Sequence, residues 1–573
     1  MDQLRPRPSW TFGAARLLLL IALIASGVPI PASAGIKDAL PTERPDDPPG
    51  IPARAPTGPS IASTTTFGRF THIQVNVNPG GDILGDAANE PSIAVDPTNH
   101  DRMVIGWRQF DTVASNFRQA GFGYSTDGGA TWVAGKIQPG VFRSDPVLGV
   151  NATGQFFYNS LHGNLTTQVF PSSDGGATWG IATFAYGGDK QWMDIDDTGG
   201  ASDGFIHQVW SPSGSPDPTH TYNRSTDDGA SYSAPSTLAP FPLFWGTLDV
   251  ASDGTLYVVG TEGSANLLAK SINANNPAVT PTFTFSFVPL GGVPVVPPSP
   301  NSPNPAGLVG QLWIGVDKSN GPRAGWIYVL ASMPTANDPL DVMFTRSTNG
   351  GQSWSAPVRV NDDPVGNHAW QWFATMSVAP DGRIEAVWND SRITNDSTMT
   401  ALFYSYSDDG GVTWTTNEQA SPVWNSLLGF PNQAKIGDYY HMVSDNQGAD
   451  LAWAATFNGG QDVYYLRIPR QGPVAVSEPQ RRFAFHPGEP NPFHTFTTLR
   501  FDLPPSGGDV KLEVFDVGGR RISTLEERWL PGGSHTARWD GVDAAGGAVA
   551  PGVYLCRLEV DGSIQTRRLL RLK

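Results

Sequence analysis

Cysteine is all but missing. Cys556 is the only one in 573 residues, so no intramolecular disulfide can form and the stability must come from packing. Charge is scarce too, at 16% of residues, and unbalanced, with 37 Lys and Arg against 53 Asp and Glu. The total is −16. Residues 1–34 and 481–573 each carry +2, which leaves −20 for residues 35–480. So acidic a body excludes nucleic acid or an anionic membrane as the main partner. Long apolar runs are absent apart from residues 17–28, and twelve residues are too few to span a bilayer, so no transmembrane anchor is expected. The HExxH, phosphate-loop and GxSxG patterns are missing, as is any Cys/His metal spacing, so neither a metal nor a cofactor is expected.

Glycine (64), proline (50), tryptophan (18) and phenylalanine (28) are abundant, the profile of an all-β chain with many turns and aromatic packing. Arg5, Arg7 and Arg16, the apolar run 17–28 and the small residues 32–34 read as a signal peptide over 1–34. The mature protein is therefore expected to be secreted or displayed on a bacterial surface. Residues 35–66, rich in Pro, Ser and Thr, read as a linker, and the proline run 291–307 as a loop insertion.

The main signal is a repeat, Ser-x-Asp-x-Gly-x-Thr-Trp. It begins at Ser125, Ser172, Ser225, Ser347 and Ser407, with a degenerate copy at Ser271. Its acidic or amide positions are Asp127, Asp174, Asp227, Asn349 and Asp409. The central Gly permits positive φ, the Asp and Ser side chains can bind turn amides, and the Trp is expected to lie across the next sheet as a structural clasp. A period near 50 residues suits one four-stranded propeller blade. Seven units can be drawn, with first strands near Pro91, Asp145, Gln191, Gly246, Leu312, Trp372 and Gly437. Residues 71–77 are available to complete the last. The expected fold is an all-β, seven-bladed β-propeller over 67–470 (six-bladed as the alternative), a linker at 471–482, and a small Ig-like β-sandwich over 483–573.

The repeat resembles the Asp boxes (BNR repeats) of the sialidase-superfamily propellers over roughly residues 70–470. In strand order the boxes fall on the face opposite the loops that enter first strands and leave second strands, so those other loops are expected to build the ligand site. They hold Glu90, Asp145, Asp189, Trp245, Gln311, Trp370, Asp438 and Tyr439, and also Arg108, Asp111, His162, Glu262, Asn389, Asp390 and Arg392. The resemblance implies a Tyr nucleophile, an acid and arginine clamps on a carboxylate. Tyr439, Glu262 and Asp111 suit the catalytic roles. Arg108, Arg143 and Arg392 suit the clamp, with Trp245, Trp370 and Asp390 as further substrate contacts. Arg-Ile-Pro stands at 467–469, in the last strand, and reads as an ordinary strand end.

The tail resembles the C-terminal sorting domain of type IX secretion and the related flagellar-hook-cap Ig-like module. The residues that carry this are Asn491-Pro492-Phe493, Trp539-Asp540-Gly541 and Gly552-Val553-Tyr554, with His494 where Asn is usual. The expectation is a sialidase-like propeller that binds, and in one reading hydrolyses, extracellular glycan or glycoprotein, and that is recognised by export machinery through its tail. The alternative is a non-catalytic glycan- or protein-binding adhesion propeller.

Overall fold

The computed structural model describes residues 63–77, 85–292, 302–394, 396–470, 484–503, 507–560 and 563–573. The signal-peptide, most of the first-linker and the 471–482 linker readings fall outside these. The chain divides into two compact units, Met1–Arg470 and Gln471–Lys573.

The described residues of the first unit form seven small antiparallel sheets and no helix, in a β-propeller arrangement. The inner strands, in order, are Ala87–Val95, Arg143–Val150, Trp192–Ile195, Leu248–Val250, Trp313–Val316, Gln371–Val378 and His441–Asp445. Each packs beside its successor, and the seventh lies against the first. The seventh sheet also takes in Phe70–Gln74, paired antiparallel with Asp462–Pro469, and then Thr64–Phe67. Residues 64–66, assigned above to the linker, are therefore strand. Three consecutive β-branched threonines, Thr64, Thr65 and Thr66, suit a half-exposed edge strand.

The boxes are clasps. In the first, Asp127 Oδ1 accepts from Ser125 Oγ (2.8 Å) and Thr131 N (2.9 Å), Asp127 Oδ2 accepts from Thr131 Oγ1 (2.6 Å), and Ser125 Oγ accepts from Gly129 N (2.9 Å). The degenerate copy keeps the device, with Asn273 Oδ1 accepting from Ser271 Oγ (2.9 Å) and Thr282 N (2.9 Å). The box Trp packs on the preceding sheet, not the next one. Trp132 meets Tyr465 of the seventh sheet, Trp179 meets Phe122 of the first, and Trp414 meets Phe344 of the fifth. The turn itself leans backward, so its second glycine touches the preceding sheet. At Gly411 φ is +76° and an added Cβ would collide with the Phe344 ring. The first box donates from Gly128 N to Asp101 O (3.1 Å), in the turn between first and second strands, which puts boxes and those turns on one face.

The second unit has two sheets, one of three strands and one of four, around a core that contains Phe493, Trp539, Tyr554 and Cys556. Its motif residues are structural. Asn491 Nδ2 donates to Arg568 O (2.8 Å), Trp539 Nε1 to Val542 O (2.9 Å) and Tyr554 Oη to Ala550 O (2.7 Å). His494 Nδ1 lies 2.6 Å from Lys573 O.

Gly411→Ala should lower the unfolding free energy of the first unit by about 2 kcal/mol, since it combines left-handed backbone with overpacking. Denaturant unfolding followed by tryptophan fluorescence checks this. A change below about 0.5 kcal/mol would show that the box does not hold neighbouring sheets together.

Candidate ligand-binding channel

The inner strands surround a channel. Successive side chains of a strand alternate faces, so every second residue of each inner strand meets the axis. The axial positions stack in tiers. Glu90, Asp145 and Lys190 stand at the leading end of their strands. Ser92, Trp192, Trp313 and His441 come next, then Gly149, Asp194, Asp249, Gly315 and Ser377.

The leading tier is held by a backbone break. Glu90, Asp145, Lys190, Trp245 and Phe373 all have φ between 46° and 57°, at the same place in five sheets. Left-handed backbone costs a non-glycine residue about 1–2 kcal/mol. In three of these sheets the ladder to the second strand is interrupted there, between Asn89 and Ser92, Ser144 and Val147, and Trp372 and Thr375. In the first three sheets the break turns charged side chains inward, where they find one another. Lys190 Nζ pairs with Asp438 and Asp145 (3.2 Å to the latter). Lys435 Nζ pairs with Asp438 (2.6 Å) and Glu90 (3.2 Å), and Arg108 Nε with Glu90 (3.0 Å). Residues 302–309, at the end of the proline run, cover this cluster. Leu308 N donates to Asp438 Oδ1 (2.8 Å), and Asn304 bridges Gly437 O (2.8 Å) and Ile436 N (3.0 Å).

Burial pushes Glu90 up to about 8 and Asp189 up to about 7. Burial works the same way on Asp145 and Asp438, but the cations beside them, Lys190 first, hold both below the usual carboxylate range. Burial likewise opposes the charge on Lys190, and Asp145 and Asp438 keep it protonated. The tier is a self-neutralised plug, since unpaired charges would be prohibitively costly there.

This plug occupies the face on which the ligand site was expected. Tyr439 is 3% exposed, donates to Pro146 O (2.8 Å) and packs edge-on against Trp192. Burial, then the charges of Glu90 and Asp145, raise its phenol well above the usual value, so the hydroxyl stays protonated and faces a carbonyl. A nucleophile needs the opposite environment. Glu262 ends the second strand of the fourth sheet, half-buried opposite Ala265. Asp111 binds Lys136 (2.5 Å) and Gln119 (2.8 Å). The arginines go to different partners. Arg108 bonds Asn89 (2.9 Å) besides Glu90, Arg143 bonds Gln138 (2.6 Å) and Gln168, and Arg392 bonds Asp362 (2.6 Å) and Asp390 (2.8 Å). Asp390 is fully buried, and also accepts from Trp388 Nε1 (2.9 Å). Trp245 is buried and Trp370 half-buried, its amide held by Ser391 Oγ (2.9 Å).

The middle tier is aromatic. Trp192 meets Trp313 (5.1 Å between centroids) and His441 (5.3 Å) edge-on, and Trp313 stacks on His441 at 5.7 Å. His441 Nδ1 accepts from Ile93 N (3.3 Å) and lies 2.9 Å from Ser92 Oγ; burial lowers its pKa to about 3, so the ring is neutral. Beyond it the channel widens into a cavity of about 710 Å³ toward the turns that follow the inner strands, the same face as the boxes. Its wall carries Asp194, Asp249 and Lys318. Lys318 Nζ lies 3.1 Å from Asp249 Oδ1 and 3.2 Å from Asp197 Oδ1. Asp194 Oδ2 accepts from Val250 N (3.2 Å) and Asp249 Oδ2 from Val316 N (2.6 Å). Burial pushes Asp194 up to about 8 against the pull of Lys318. At the rim, His100, Asp445 and Asp450 converge, but Arg467 already bonds both carboxylates (2.7 Å each).

Reading the loops alone missed Lys190, Lys435, Trp192, Trp313, His441, Asp194 and Asp249. The signal was the two-residue alternation in Lys190-Gln-Trp192-Met-Asp194, repeated as Trp245-Gly-Thr247-Leu-Asp249.

A model of the FlgD Ig-like domain matches residues 494–563. No curated protein matches the chain. Among solved structures it is similar to a protein of unknown function from Dyadobacter fermentans DSM 18053, at 12% identity and a TM-score of 0.40, over 70% of this chain and 98% of that one. It is also similar to YCF48 bound to D1 peptide, at 12% identity and a TM-score of 0.39, over 72% of this chain and 100% of that one. A third likeness is to a polysaccharide lyase, an ulvan lyase bound to a GlcA–Rha3S saccharide, at 12% identity and a TM-score of 0.33, over 74% and 91%.

Lys190→Met would strand Asp145 and leave Asp438 to Lys435 alone, and should cost about 3–5 kcal/mol of stability. Glu90 has the opposite pH signature. Its raised folded pKa contributes stability that is full below 4.5 and lost as pH rises through about 8. Glu90→Gln should therefore flatten the decline of stability between those two pH values, measured by denaturant titrations across the range. An unchanged slope would mean that Glu90 is not the group titrating.

Proposed function

We propose that this chain is a secreted, seven-bladed, closed Asp-box propeller that binds an extracellular glycan in its central channel without tyrosine-nucleophile hydrolysis. The cavity of about 710 Å³ carries the reading, with Trp192 and Trp313 at its closed end and Asp194, Asp249 and Lys318 on its wall. Sugars combine apolar C–H faces with fixed hydroxyls, and indole rings beside a few convergent polar groups suit both. The volume falls within the range of small-ligand pockets, about 300–1,000 Å³. The pairing of Phe70–Gln74 into the last sheet supports closure, and the seven inner strands support seven blades. The burial of Tyr439 is why binding leads over sialidase chemistry.

The test is a glycan array with the full chain, alongside a panel of fluorogenic glycosides. Binding of at least one glycan, lost in Trp313→Ala with the fold retained by circular dichroism, is the expected result. Turnover of a sialoside, abolished by Tyr439→Phe, would restore the hydrolytic reading.

The Ig-like unit is proposed to serve export, on the strength of its sorting-domain motifs. A chain ended at Gln471 should fold as the propeller yet remain periplasmic in the native host, as read by cell fractionation. Surface delivery without residues 472–573 would remove the sorting role.

A further inference from the structure

The charge of the cavity wall selects among sugars. Among the described residues lining the cavity, Lys318 is the one Lys or Arg, and it faces three wall carboxylates, Asp194, Asp197 and Asp249. It pairs with two of them; among the described residues Asp194 has no ion pair within 4 Å, and burial keeps its carboxyl protonated. The rim does not repair the imbalance. Asp96 pairs with Arg102 (3.2 Å), while Asp445 and Asp450 share Arg467 and His100. The closed end adds two indoles and a neutral imidazole and brings no cation. An anionic ligand entering here would meet an excess of like charge, and a cation the reverse.

We propose that the cavity takes an ammonium-bearing saccharide, an amino sugar with a free rather than an acetylated nitrogen. This rests on the glycan-binding reading and narrows it. The ammonium lies against Asp194, whose carboxyl releases its proton to solvent as this counter-ion arrives, and the aromatic end covers the sugar's apolar face. An uncharged N-acetyl group at that place offers Asp194 no counter-ion, so the carboxyl keeps its proton. A sugar carboxylate would add a third anion to Asp197 and Asp249. This is the reverse of the arginine-clamped carboxylate that the Asp-box resemblance implied.

The experiment is isothermal titration of the full chain at pH 6.5 with three probes: a β-1,4-linked glucosamine disaccharide, its N,N′-diacetyl counterpart, and a uronic-acid disaccharide. The free amine should bind about tenfold or more tightly than the acetylated sugar, with the acid weakest. Two variants move the amine's affinity in opposite directions. Asp194→Asn should weaken it about tenfold, and Lys318→Met, which frees Asp249 and Asp197, should strengthen it. The uncharged diacetyl sugar should respond to either change by much less, about twofold at most. Melting curves of both variants verify folding, and the opposite signs separate an electrostatic site from general damage. Equal binding of the amine and diacetyl sugars, or a preference for the acid, overturns the ammonium site and leaves glycan binding standing. Binding of no saccharide of either charge removes both.

Discussion

An inner strand beside a narrow axis has little freedom about what it presents to that axis. Its side chains alternate, so every second residue of seven strands points at the same confined space, and whatever stands there must find partners among the other six sheets. The remaining features follow from this constraint. Charges at the leading ends are buried whether or not burial suits them, so they persist only as a matched set, and Lys190, Lys435 and Arg108 answer Glu90, Asp145 and Asp438. The left-handed backbone at Glu90, Asp145 and Lys190 is strain that the set holds in place.

One step along the axis the same constraint gives a different outcome. Trp192, Trp313 and His441 are too large to leave a passage and pack across it, which separates the charged plug from the space beyond. Past them the axial residues become small or short, as at Gly149, Gly315 and Ser377, and the cavity opens because nothing fills it. The polar wall there lines the open space, so Asp194 and Lys318 are less enclosed than the sealed carboxylates. Accessibility and unmatched charge, more than the number of polar groups, separate the two ends.

The boxes and the tail solve local problems with local chemistry. Each box satisfies its own turn through hydrogen bonds that span at most nine residues, and then leans on the preceding sheet, as Trp414 does on Phe344. In the tail the motif residues tie the last strand to the rest, with Asn491 bonded to Arg568 and Leu570. They are framework residues, whatever recognises the unit from outside.

The sequence by itself determined the all-β class, the repeat, the register of the boxes and the separate tail, because each depends on turns and alternation within about ten residues. It also marked Glu90, Asp145, Asp189 and Asp438 as a set at the strand entrances. Whether that set formed an open cleft or a plug was decided only by the tertiary structure. Lys190 meets Asp438 across 248 residues, and Leu308 reaches Asp438 across 130. Tyr439 had the sequence neighbours expected of a nucleophile, but its burial depends on Trp192 and Pro146, contributed by other sheets. Burial and pairing at an axis are sums over all seven sheets, and no one stretch of sequence contains that sum.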